Sequence, residues 1–61
     1  MTKNIYVREN ALGLVVYNNR EIVYGNLDGQ ITREYAIELG KKEKKNVYFD
    51  GDWKETLYKV K

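Results

Sequence analysis

Ile31-Thr32-Arg33-Glu34-Tyr35-Ala36-Ile37-Glu38-Leu39-Gly40 decides the fold, because it is the one stretch of the chain with convincing helical periodicity. Tyr35, Ala36, Leu39 and Gly40 recur at i, i+3 and i+4 spacing and line a single stripe, with Ile37 at its flank. Thr32 is placed to cap the free backbone N–H groups, Glu34 to complement the positive helix end, and Ile31 to staple the cap from outside. Ala36 and Gly40 are small enough to let the helix come close to a sheet. Glu43 falls inside the same stripe, which puts the end of the packed part near Gly40, leaves a solvated lysine-rich remainder and makes Asn46 the terminator.

On the N-terminal side, Ile5-Tyr6-Val7, Leu14-Val15-Val16-Tyr17 and Ile22-Val23-Tyr24 are β-branched and aromatic runs that read as strands. Asn10, Ala11 and Gly13 punctuate the first connection. Asn18-Asn19 fits a two-residue hairpin turn in the second, since asparagine tolerates positive φ. On the C-terminal side, Val47-Tyr48-Phe49 and Trp53 to Val60 flank Asp50-Gly51, a hairpin signal whose two-residue loop sets Tyr48 opposite Trp53. The expected fold is α+β: a small antiparallel sheet in the order β-β-β-α-β-β, with one helix on one face. Residues 1–61 read as one compact domain.

One helix covers one face of a sheet, so the other face has to be polar or be buried by something else. In either register of the first hairpin the apolar residues fall on both sides. With a two-residue loop, Leu14, Val16 and Val23 oppose Val15, Tyr17, Ile22 and Tyr24; with three residues, Leu14, Val16, Ile22 and Tyr24 oppose Val15, Tyr17 and Val23. Tyrosines on an open face are often half-buried residues with a wet hydroxyl. They are also enriched among interface anchors, which makes Tyr6, Tyr17, Tyr24, Tyr48, Trp53 and Tyr58 the candidate partner-binding residues.

Size sharpens the point, since a 61-residue chain buries only about 60% of the surface its unfolded form exposes. Small domains commonly add disulfides, a metal or a second subunit. This one has neither cysteine nor histidine, so disulfides, thiolate sites and the usual zinc, iron and copper ligands are missing, and self-association as a homodimer stays open. Without those residues there is no Ser-His or Cys-His nucleophile, and the hydroxyls besides tyrosine are Thr2, Thr32 and Thr56. Asp50 and Asp52 are the closest carboxylate pair, in a turn too short for a calcium loop, and the glycines form no phosphate-cradling pattern. The reading is a non-enzyme without a cofactor.

A net charge of +2 is too mild to imply nucleic acid by itself, but Lys41, Lys42, Lys44 and Lys45 form one basic cluster. Lysines at this end of a helix are commonly a solvated terminus that complements the helix dipole. In the alternative they contact phosphate together with Arg8, Arg20 and Arg33, while the sheet reads a groove. Aromatic content of 13% argues against disorder, and no segment has the apolar run of a signal peptide or membrane span. Cytoplasmic is the expected location. Frequent Lys, Asn, Ile, Tyr and Glu with scarce Ala and no Pro suggest an AT-rich coding sequence, from a low-GC bacterium or its phage.

The helix containing Glu34-Tyr35-Ala36-Ile37, set after a hairpin and before an Asp-Gly turn, resembles a small uncharacterised bacterial domain family of ββαββ type. That family has a threonine-capped helix with a Glu-Ala-Ile-like core; Tyr35 interrupts the pattern here. The β-β-β-α half is similar at fold level to the three-stranded DNA-binding domains of phage-type tyrosine recombinases, without their dense basic decoration. Neither resemblance supplies a functional residue. The expected function is a phage-like interaction protein that binds, and thereby inhibits, a host or defence protein through its aromatic sheet face; the alternative is a nucleic-acid-binding module.

Overall fold

The computed structural model describes residues 4–11 and 13–61. Among these, the β-branched and aromatic runs form β1 (Ile5–Asn10), β2 (Gly13–Asn18), β3 (Glu21–Asn26), β4 (Val47–Asp50) and β5 (Lys54–Tyr58), and the periodic stretch lies within α1 (Gly29–Glu43). The class is α+β, with one helix against a five-stranded sheet ordered β3-β2-β1-β4-β5. Three pairings are antiparallel, but the central pair β1 and β4 is parallel. Chain direction explains this departure from an all-antiparallel sheet. β1 and β3 run the same way, α1 returns over the sheet, and β4 must then run with β1, whose free edge it occupies.

Alternation along the strands builds the core. Ile5 and Val7 of β1, Val16 of β2, and Val47 and Phe49 of β4 point under the helix and are 2% exposed or less, as is Ala36 above them. Each such side chain contributes about 1.5–3 kcal/mol when fully buried. Leu14, Tyr24, Leu39, Leu57 and Tyr58 pack around this cluster. Gly40 is the closest point of approach: a Cβ there would collide with Val47 Cγ2 and stand 2.9 Å from the Lys45 carbonyl oxygen.

The helix starts and stops elsewhere than expected. Asp28 is the N-cap, its carboxylate accepting from the Gln30 and Ile31 N–H groups at 2.9 and 3.3 Å. Thr32 lies one turn in, fully buried, with its hydroxyl donating to the Asp28 carbonyl at 3.1 Å. A carboxylate accepts a charge-assisted bond from the free amides, so it displaces the threonine as cap. Ile31 therefore falls within the first turn, 45% exposed, where it staples nothing from outside, and no acidic residue occupies that turn. At the other end Lys44, not Asn46, takes the left-handed conformation (φ 57°, ψ 51°). Asn46 instead ties the start of β1 to the segment after β5, accepting from Ile5 N–H on its carbonyl and from Val60 N–H on its side-chain oxygen, both at 2.9 Å.

Both hairpin readings also shift. The β2–β3 turn is Asn19-Arg20, at φ 56° and 67°, because Asn18 is held inside by other bonds. The β4–β5 loop has three residues, Gly51 to Trp53, so Tyr48 faces Thr56 and Asp50 faces Lys54. Trp53 stays in the turn and leans on Phe49, with ring centroids 5.1 Å apart.

Candidate functional site

The face of the sheet away from α1 is organised in two rows. Register sets Ile22, Tyr17, Tyr6, Tyr48 and Thr56 side by side across all five strands. The three tyrosines occupy the middle strands β2, β1 and β4, half-buried, and Tyr6 and Tyr48 stand with ring centroids 5.9 Å apart at 33°. The second row runs Gly25, Val15, Arg8, Asp50 and Lys54. Arg8 ties the two rows together. Its guanidinium lies 5.2 Å from the Tyr17 ring centroid and 5.7 Å from that of Tyr6, and its Nε is 3.3 Å from Asp50 Oδ2.

This arrangement follows from strand alternation. Tyr6 and Arg8 interleave with the buried Ile5 and Val7, Val15 and Tyr17 flank Val16, and Tyr48 separates Val47 from Phe49. Cation–π contacts of this kind contribute about 0.5–1 kcal/mol at exposed sites. Their effect here is to hold the arginine across the tyrosine rings rather than extended into water. A concavity of ≈ 470 Å³ borders the row, lined by Asn4, Tyr6, Tyr48, Asp50, Lys54 and Thr56 among others. Asp50, read from the sequence as part of a bare turn, is thus a strand residue paired with Arg8. Thr2 lies outside the described residues.

The six aromatic candidates divide into two groups. Tyr6, Tyr17 and Tyr48 share the open face. Tyr24 lies on the helix side, stacked on Tyr35 at 4.2 Å and 11°, with its hydroxyl accepting from the Asn26 amide. A bulge explains the separation: Tyr17 faces Ile22 and Val16 faces Tyr24, so Val23 is an extra residue and the faces swap beyond it. Tyr58 packs beneath α1 near Gly40. Trp53 is 53% exposed in the β4–β5 turn on the helix side, donating its ring N–H to Glu55 at 3.1 Å.

The basic cluster does not join this face. Lys41, Lys42 and Lys44 are exposed at the end of α1, on the opposite side of the sheet. Lys45 is turned inward, its ammonium 2.8 Å from Asn18 Oδ1 and 3.1 Å from Glu43 Oε1. The Asn18 amide in turn donates to both Glu43 oxygens, at 3.2 and 3.3 Å. That amide, and then Lys45, holds the Glu43 carboxyl below its ordinary value of 4.5. Arg33 lies over the Phe49 ring, 5.2 Å from its centroid, and Arg20 occupies the β2–β3 turn. In the sequence Glu43 falls within the apolar stripe and marks where its packing ends, while its polar partner Asn18 carries no separate signal.

No helix among the described residues is long and apolar enough to cross a membrane. No family model, curated protein or solved structure matches the chain, and its own residues carry the functional reading.

Proposed function

We propose that this chain is a non-catalytic interaction module that engages a protein partner through its open sheet face. The observation behind this reading is the row Tyr17, Tyr6 and Tyr48, carried on three adjacent central strands with no helix above it. Large rings on rigid strands offer contact area at low conformational cost, and tyrosine and arginine are the residue types that anchor interfaces. Arg8, Asp50 and Lys54 supply a polar border beside the rings, the anatomy of a partly apolar contact with a charged rim. A domain this small acts on its partner by occupying a surface. Masking a host or defence protein, in the cytoplasm of a cell carrying a phage or mobile element, is the form of that action we favour.

The test is capture from a lysate of the source cell, followed by identification of the bound protein. Tyr6→Thr, Tyr17→Thr and Tyr48→Thr combined keep β-forming residues on the strands while removing the rings. Capture should be lost in this variant and kept by Tyr24→Phe and by Trp53→Ala. Equal capture by the triple variant, with its circular dichroism unchanged, would reject the face as the binding surface.

A further inference from the structure

Among the described residues, six large apolar side chains are more than a third exposed: Ile22 (58%), Val23 (41%), Leu27 (80%), Ile31 (45%), Tyr35 (39%) and Trp53 (53%). All but Trp53 lie on one flank of the molecule. Ile22 and Val23 belong to β3, an outer strand of the sheet, and Leu27 follows it directly. Tyr35 is on the β3 side of α1, since it stacks on Tyr24, and Ile31 precedes it by one helical turn on the same side. The flank is separate from the tyrosine row of the open face, from which it takes only the border residue Ile22.

We infer that this flank docks a second copy of the chain. The two outer strands are treated differently by the sequence. β5 carries Lys54 and Glu55, with Lys59 just beyond, the charges that commonly discourage pairing at a sheet edge. β3 opens on Glu21 and Asp28 follows Leu27, but the stretch from Ile22 to Leu27 between them is uncharged, so a twofold axis at Tyr24 sets Arg20 against Asp28 and brings no like charges together. Leu27 occupies the position before the helix cap where a staple would sit, yet its staple partner would be the buried, hydrogen-bonded Thr32, and the leucine stays free. The bulge at Val23 twists the strand, so the contact rests on side chains rather than on a continuous ladder.

The five residues expose roughly 500 Å² per copy, so covering both sets completely removes about 1,000 Å², the size of a weak, reversible contact. A core this small gains from the added burial. Glu38 and Lys42, farther along the same side of the helix, give the patch a polar border.

Sedimentation equilibrium over a hundredfold concentration range reaching about 0.5 mM tests this. The wild-type mass should rise from 7.2 kDa toward twice that value. Ile22→Glu with Leu27→Glu changes two exposed positions, so the fold should survive by circular dichroism while the dissociation constant rises at least tenfold or the chain stays monomeric. Tyr6→Thr with Tyr48→Thr should leave the association unchanged, which separates this inference from the partner-binding face. Monomer mass for the wild type throughout the range overturns the inference. So does a dimer that survives both glutamates, or one that dissociates only when the open-face tyrosines are changed.

Discussion

Gly40→Ala measures how closely α1 lies on the sheet, and hence whether one face is sealed and the other left open. On a free helix surface the substitution stabilises by about 1 kcal/mol, because alanine is the better helix former. Here the added methyl meets Val47 Cγ2, which is fully buried, and the Lys45 carbonyl oxygen at 2.9 Å, which is backbone. Neither neighbour can swing away, so the helix has to lift or the core to shift. Overpacking costs about 1–3 kcal/mol, and two neighbours that cannot yield place this substitution in the upper part of that range, about 2–3 kcal/mol, which outweighs the propensity gain. A net loss of about 1–2 kcal/mol lowers the melting temperature of a 61-residue domain by roughly 4–16 °C. Gly29→Ala is the internal comparison. Its methyl would meet Leu14 Cδ1 at 3.1 Å, the flexible end of a half-buried side chain, and should change the melting temperature little. Thermal unfolding followed by circular dichroism and by Trp53 fluorescence gives both values. A Gly40→Ala protein as stable as wild type, or more so, would refute the close approach.

Three further substitutions probe the supports of the fold. Arg20→Gly relieves a non-glycine residue at φ 67° in the two-residue turn and should stabilise by about 0.5–1 kcal/mol in urea unfolding, whereas no gain would argue against that turn. Asn18→Ala removes the amide that bonds Glu43 and Lys45 and should cost about 1–3 kcal/mol, because two charged groups lose a partner. Glu43 supplies a pH test. Its carboxyl titrates lower in the folded chain than in the unfolded one, so its contribution is present above the ordinary value of 4.5 and is lost as pH falls through the depressed folded value. Glu43→Gln should therefore flatten the loss of stability as pH falls from 4.5 through that depressed value; an unchanged acid-unfolding profile would show that the interaction contributes nothing.

Helix, strands and element order were legible because they rest on local pattern. The stripe through Ala36 and Gly40 and the β-branched runs name their own structures. The two-sided apolar character of the first hairpin was legible too, since it holds in either register. Which aromatic lies on which face was not. A single extra residue at Val23 returns Tyr24 to the helix side while Ile22 stays outside, and nothing in Ile22-Val23-Tyr24 marks the bulge. The parallel pairing of β1 with β4 was hidden for a different reason: it depends on which edge β4 joins, a tertiary choice, although strand direction then follows by counting reversals. Thr32 lost the cap to Asp28 because two residues competed for the same amides and the charged one won. On the open face, Arg8 and Asp50 are far apart in sequence and meet only through that parallel pair.

Backbone amide shifts of the labelled chain, recorded by NMR with and without the captured partner, test the open face most directly. Binding through it should move Tyr6, Arg8, Val15, Tyr17, Tyr48, Asp50 and Thr56 together and leave Ile37, Lys41 and Lys44 on the helix unmoved. Shifts confined to the helix, with the tyrosine row unchanged, would contradict it.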